Sequence, residues 1–116
     1  MSHRMLETSR APVPPAEIHI ESVGVRALDR RRVDVAVDLT PLREPVDIEM
    51  VIAGPKDDEL CSIRLIQNRE WMLDKIMHLR QDAEAGVHTL HVGVFNEDEL
   101  LTRTARRFTF SLTETE

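Results

Sequence analysis

Five histidines, one cysteine and a scatter of carboxylates are the groups through which this 116-residue chain could do chemistry, and their spacing decides whether they gather. His88 and His91 stand three apart, which on an extended strand sends the two rings to opposite faces, so they cannot hold one ion together. His19, His78 and His91 fall on three separate segments and are expected to point outward from each. A structural zinc site needs four convergent ligands, and nothing in these spacings enforces that. Cys61 could serve as a nucleophile beside a histidine. It alternates with Ile63 and Leu65, however, and reads as a small buried hydrophobe with no basic neighbour to activate the thiol. Asp34, Asp38, Asp47 and Glu49 have the look of carboxylates paired for acid–base work. Their alternation with apolar residues places them on wet faces, where a hydrated carboxyl makes a poor general acid. The runs Asp57-Asp58-Glu59 and Asn96-Glu97-Asp98-Glu99 lack the spaced ligands and central glycine of a calcium loop. No phosphate-cradling glycine loop is present. The expectation is therefore no catalytic residue, no cofactor and no metal.

Two basic clusters, Arg30-Arg31-Arg32 and Arg103 with Arg106 and Arg107, raise the question of a polyanionic partner. The net charge of −6 opposes attraction to a phosphate backbone. The few aromatics, Trp71, Phe95, Phe108 and Phe110, are not interleaved with the arginines to stack on bases. Nucleic acid is not expected as a partner. Nor is a membrane, because no segment approaches the ~18 apolar residues that span a bilayer. Met1 to Arg10 lacks the apolar run of a signal peptide, and a single cysteine forms no internal disulfide. Cytoplasmic residence is the expectation.

Positioning these groups falls to short extended elements. With 41% hydrophobic and 31% charged residues the chain has the balance of one globular domain. Residues 1–16, with Pro12, Pro14 and Pro15, are expected to form a mobile tail ahead of a single domain over residues 17–113. From Glu17 onward the apolar period is two. Ile18 and Ile20 are followed by Val23 and Val25 in shifted phase, which signals a bulge or a strand that changes sheets. Val33, Val35, Val37 and Leu39 alternate cleanly, as do Val46, Ile48, Met50 and Ile52 after a proline-bracketed loop. Beyond a Gly54-Pro55 turn come Cys61, Ile63 and Leu65. Trp71 to Leu79 fits either a strand (Trp71, Leu73, Lys75, Met77, Leu79) or a short helical stripe, and its strand-like neighbours on both sides favour the strand. His88, Leu90, Val92 and Val94 alternate next, and after a four-residue polar loop a last run ends in Phe108, Phe110 and Leu112. About seven short strands separated by turn signals predict an all-β antiparallel sandwich.

The stretch Asp82-Ala83-Glu84-Ala85-Gly86-Val87-His88-Thr89-Leu90 resembles the corner and following strand of immunoglobulin-like and fibronectin type III-like domains. In that family an acidic residue, a small residue and glycine precede a tyrosine, with a disulfide cysteine two positions further on. His88 stands at the tyrosine position and Leu90 at the cysteine position. The resemblance implies an immunoglobulin-like sandwich in which His88 hydrogen-bonds back to the corner backbone. The family's disulfide and core tryptophan are missing, since no cysteine lies on the Val33–Leu39 segment and Met50 or Ile52 replaces the tryptophan.

What remains is an apolar excess on one outer face. Val51, Ile66, Val87 and Phe95 are expected to point away from the core, with His91 between them and Arg64 alongside. A contiguous patch of this kind would mark an interface, for a protein partner or for a second copy. The function expected is that of a non-enzymatic interaction or accessory domain. The alternative is a small-ligand or enzymatic site built from the loops Arg30–Arg32, Gly54–Glu59 and Asn96–Glu99.

Overall fold

Valine and isoleucine at alternate positions drive the chain into seven strands: β1 (Ile20–Ala27), β2 (Arg32–Leu39), β3 (Val46–Ala53), β4 (Glu59–Asn68), β5 (Met72–His78), β6 (Val87–Asn96) and β7 (Glu99–Thr109). This is a computed structural model, and it describes residues 11–110. Two antiparallel sheets pack face to face, one in the order β1-β2-β5 and the other β4-β3-β6-β7. The fold is an all-β, seven-stranded antiparallel sandwich, and Trp71–Leu79 resolves as strand β5 rather than helix.

The core lies between the sheets. Val33, Val35, Val37 and Leu39 of β2 face Ile48, Met50 and Ile52 of β3 and Leu90, Val92 and Val94 of β6, all within a percent or so of complete burial. Each such side chain contributes about 1.5–3 kcal/mol by leaving water, which is why the central strands β2, β3 and β6 fix the register of the rest. The phase slip in the first strand is a bulge, with the register shifting between Ile20 and Ser22, and β1 stays in one sheet. Residues 1–10 of the expected tail, and Leu112, lie outside the described residues. Within residues 11–16 the chain is pinned: Val13 bridges Leu42, its amide donating to the Pro41 carbonyl and its carbonyl accepting from Arg43, each at 3.0 Å.

The connections are tighter than composition alone requires. The expected four-residue loop at Asn96–Glu99 closes to two residues, because Asn96 and Glu99 pair as the last rung of the β6–β7 hairpin. Glu97 takes φ +58°, the handed geometry that two-residue hairpins demand. Immediately after this turn the register shifts between Val94 and Phe95, so that Phe95 pairs with Leu100 but Val94 with Thr102, leaving Leu101 as the extra residue.

Candidate functional site

The strand pairings put a four-by-several grid of side chains on the outer face of the β4-β3-β6-β7 sheet. One row across the sheet runs Arg64, Glu49, Gly93, Arg103, and the next runs Ser62, Val51, His91, Ala105. A shallow groove of about 630 Å³ lies on this grid, floored by Val51, Gly93 and Ala105 and walled by Phe95, Leu100, Glu49 and Arg103. Gly93 shapes it. A Cβ there would sit 3.1 Å from the Phe95 ring edge, so the missing side chain lets the ring lie down over its own strand. The Arg64 guanidinium stacks 4.6 Å from the Phe95 centroid and reaches Asp47 at 3.5 Å and Glu49 at 3.9 Å. A partly exposed stack of this kind contributes about 0.5–1 kcal/mol and holds both groups in place.

Of the six residues expected on an interaction face, the structure brings four together. Val51, His91 and Phe95 line the groove and Arg64 covers Phe95. Ile66, 63% exposed, lies beyond the groove next to the bulge at the end of β4. Val87 shares the face but sits at the far end of β6, paired with Thr109 and eight residues from Phe95. That separation is roughly 26 Å at the rise of an extended strand, too far to belong to the same patch. The sequence reading missed Leu100, Arg103 and Ala105, all supplied by β7.

The loops proposed as an alternative site do not converge. Arg30–Arg32 and Gly54–Glu59 lie at one end of the sandwich, with the β5–β6 connection: Leu79 donates to the Arg31 carbonyl, Ala83 to that of Arg30, and Gly86 packs under Pro55. Asn96–Glu99 joins β6 to β7 at the opposite end. A hollow of about 540 Å³ does form beside Arg30–Arg32, Asp29, His78, Leu79 and Asp82, but its charges are largely used within the chain. Arg31 donates to the Arg80 carbonyl at 2.6 Å and reaches Asp82 at 3.9 Å. Asp29 accepts from the amides of Arg31 and Arg32 and from the Arg32 side chain, at 2.8–2.9 Å. Those hydrogen bonds hold the Asp29 carboxyl below the usual carboxylate range.

The titratable groups singled out by sequence are dispersed. His19, His78 and His91 are exposed while His88 is fully buried, and among the described residues no group of three His, Cys, Asp or Glu is placed to hold a metal ion. His88 does bond back to its corner, its Nδ1 lying 3.1 Å from the Gly86 carbonyl. Its ring packs against Phe108 and Phe110, with centroids 5.7 and 4.7 Å away, and Nε2 has no hydrogen-bond partner. Cys61 is buried, and burial pushes its thiol above the ordinary value. We therefore expect Cys61 in the native protein to react with a disulfide reagent at pH 8 at least ~100-fold more slowly than in the urea-unfolded chain, since only the exposed thiolate attacks. Equal rates, followed by absorbance of the released thiol, would count against a buried thiol.

One carboxylate pair escaped the sequence reading. On the outer face of the three-stranded sheet, Asp74 of β5 stands opposite Ala36, diagonal to Asp34 of β2 two residues along the same face. A hydrogen bond with Asp34, and then repulsion from it, raises the Asp74 carboxyl above its usual value. A carboxyl whose folded value is raised binds its proton more tightly when folded, so this pair costs stability as pH climbs past the unfolded value of 3.8. Asp74→Asn is expected to raise the melting temperature at pH 7 and to leave it unchanged near pH 3. Calorimetry at the two pH values checks the sign.

No protein-family model matches the sequence, and no curated protein matches it. Its likeness is to solved structures. A glycosyl hydrolase family 2 member from Bacteroides cellulosilyticus DSM 14838 superposes on 80% of this chain with a TM-score of 0.61 at 10% identity, over 15% of its own length. The beta-glucuronidase of Parabacteroides merdae superposes on 81% of this chain with a TM-score of 0.61 at 15% identity, over 14% of its own length. The chain thus spans about a seventh of the length of these two proteins, and at such identities the likeness establishes the sandwich fold.

Proposed function

We propose that this chain is a non-enzymatic interaction or accessory domain of the immunoglobulin-like, fibronectin type III-like class, and that it acts through the outer face of its four-stranded sheet. The observation that carries the reading is the groove of Val51, Gly93, Phe95, Leu100 and Ala105 rimmed by Glu49, Arg64 and Arg103. An apolar centre inside a charged rim is the anatomy of a protein-binding surface. Recurrence of the fold as a small part of two much longer glycosidase chains fits an accessory role. The class assignment is supported by the His88–Gly86 corner bond and by the sheet order, in which the fourth strand pairs with the third instead of the fifth, unlike an antibody constant domain. A lone buried Cys61 suits a reducing compartment such as the cytoplasm.

A photo-crosslinking residue placed at His91, and separately at Ala36 on the opposite outer face, tests this in living cells. Adducts are expected from position 91 and not from position 36. Equal labelling from both faces, labelling from position 36 alone, or none from either would overturn the reading.

A further inference from the structure

Building on that reading of the face, we infer that its occupant is a second copy of this chain, packed face to face about a two-fold axis that runs along β6. The row Glu49–Gly93–Arg103 carries a negative charge on β3, nothing on β6 and a positive charge on β7. A two-fold axis lying over β6 and parallel to it carries β3 of one copy over β7 of the other at the same level. Glu49 then faces the second copy's Arg103, and Arg103 faces its Glu49. One cross-strand row thus yields two opposite-charge contacts. In the next row Val51 meets Ala105 in both directions. A two-fold axis across the strands at that row would instead lay β3 on β3 and set Glu49 against its own copy.

Three further observations favour this occupant. Arg103 makes no ion pair among the described residues, and the Glu49 carboxylate is 42% exposed with only a 3.9 Å contact to Arg64. Gly93 lies on the axis, and because it adds no side chain the Phe95 ring lies flat there and does not stand up between the two sheets. A chain of net charge −6 repels its own copies in general. On this face, however, Arg64, Arg103 and Arg107 balance Asp47, Glu49 and Glu59, whereas the opposite face carries Asp34, Asp38 and Asp74 against Arg26 and Arg32. The overlap of β3, β6 and β7 with their copies measures roughly 14 by 23 Å, from three strands at ~4.8 Å spacing and seven residues at ~3.3 Å rise. That is smaller than the ~800 Å² per partner of a standard interface, so the dimer is weak and forms at high micromolar concentration.

Sedimentation velocity of the full chain from roughly 10 μM to 1 mM tests it. The wild-type chain is expected to shift from monomer to dimer, and the association to weaken on going from about 50 to 500 mM salt. Glu49→Arg alone and Arg103→Glu alone are each expected to weaken association at least tenfold, because each sets like charges across the axis. An equimolar mixture of the two variants is expected to recover the dimer, since each then supplies the charge the other lacks; recovery also proves that both variants fold. A wild-type chain that stays monomeric overturns the second copy, while the crosslinking result still decides whether the face binds another protein. Single variants that dimerise as well as wild type, a mixture that does not recover, or association that strengthens with salt overturns the two-fold arrangement.

Discussion

Replacing His88 with alanine is expected to destabilise the fold by about 3 kcal/mol, the range found when a large buried side chain is truncated. The ring is fully buried and wedged between Phe108 of β7 and Phe110 just beyond it, so its removal leaves a cavity that these two aromatic side chains cannot easily close. The truncation also strips the Gly86 carbonyl of its 3.1 Å hydrogen bond. His88→Phe separates the two losses. It keeps an aromatic ring in the site and discards only the hydrogen bond, along with an Nε2 that has no partner in any case. Its cost is expected to be about 1 kcal/mol, the net worth of one such bond. Urea unfolding monitored by Trp71 fluorescence measures both. Equal losses for the two variants would mean that the corner bond, and not ring packing, secures the β5–β6 connection.

The sandwich was legible because its central strands obey one rule without exception. Every second residue of Val33–Leu39 and Val46–Ile52 is buried to within about a percent, and no buried polar group interrupts either run. The edges obey it less well. In β4, Ile63 and Leu65 are only half-buried, and in β5 Lys75 stands among the inward positions, where its aliphatic stem can cover the sheet edge. An edge element has a partner on one side only, so its pattern is diluted by solvent, and this is why Trp71–Leu79 could be read two ways. The packing of the neighbouring strands, not the segment's own propensity, makes it a strand.

The candidate face was half legible for a different reason. Val51, His91 and Phe95 follow from the alternation of β3 and β6, and Arg64 from that of β4. The contribution of β7 does not follow, because Leu101 is a bulge. Counting back from the Asn96–Glu99 rung without it would set Arg103 opposite Val92, facing the core, and Phe108 opposite Val87, facing water. One extra residue reverses both assignments, placing Arg103 beside Gly93 on the outside and Phe108 beside His88 on the inside. The sequence of β7 gives little warning, since its inward positions include Thr102, Thr104 and Arg106. A charged residue at an inward position of an edge strand weakens the apolar pattern while guarding the edge against stray pairing. The Asp34–Asp74 pair was hidden in a similar way, because it exists only once β5 is known to lie against β2.

Gly86→Ala is expected to cost about 2–3 kcal/mol, and the contrast with Gly24→Ala identifies the cause. Gly86 adopts φ +124°, a conformation that side-chain-bearing residues occupy only with strain of about 1–3 kcal/mol. A Cβ there would also stand 3.0 Å from Pro55, pressing the β5–β6 corner against the β3–β4 turn. Gly24 lies within β1 at no such angle, and a Cβ would meet only the Ala36 methyl at an ordinary 3.9 Å. There alanine fits, and the reduced freedom of the unfolded chain makes the change neutral or stabilising by about 0.5 kcal/mol. Thermal unfolding should therefore separate two chemically identical substitutions by roughly 10–20 °C, given the ~4–8 °C per kcal/mol of a domain this size. If both proved harmless, the corner that aims His88 into the core would have to hold its shape without the glycine, and the parallel with the immunoglobulin-like corner would lose its physical basis.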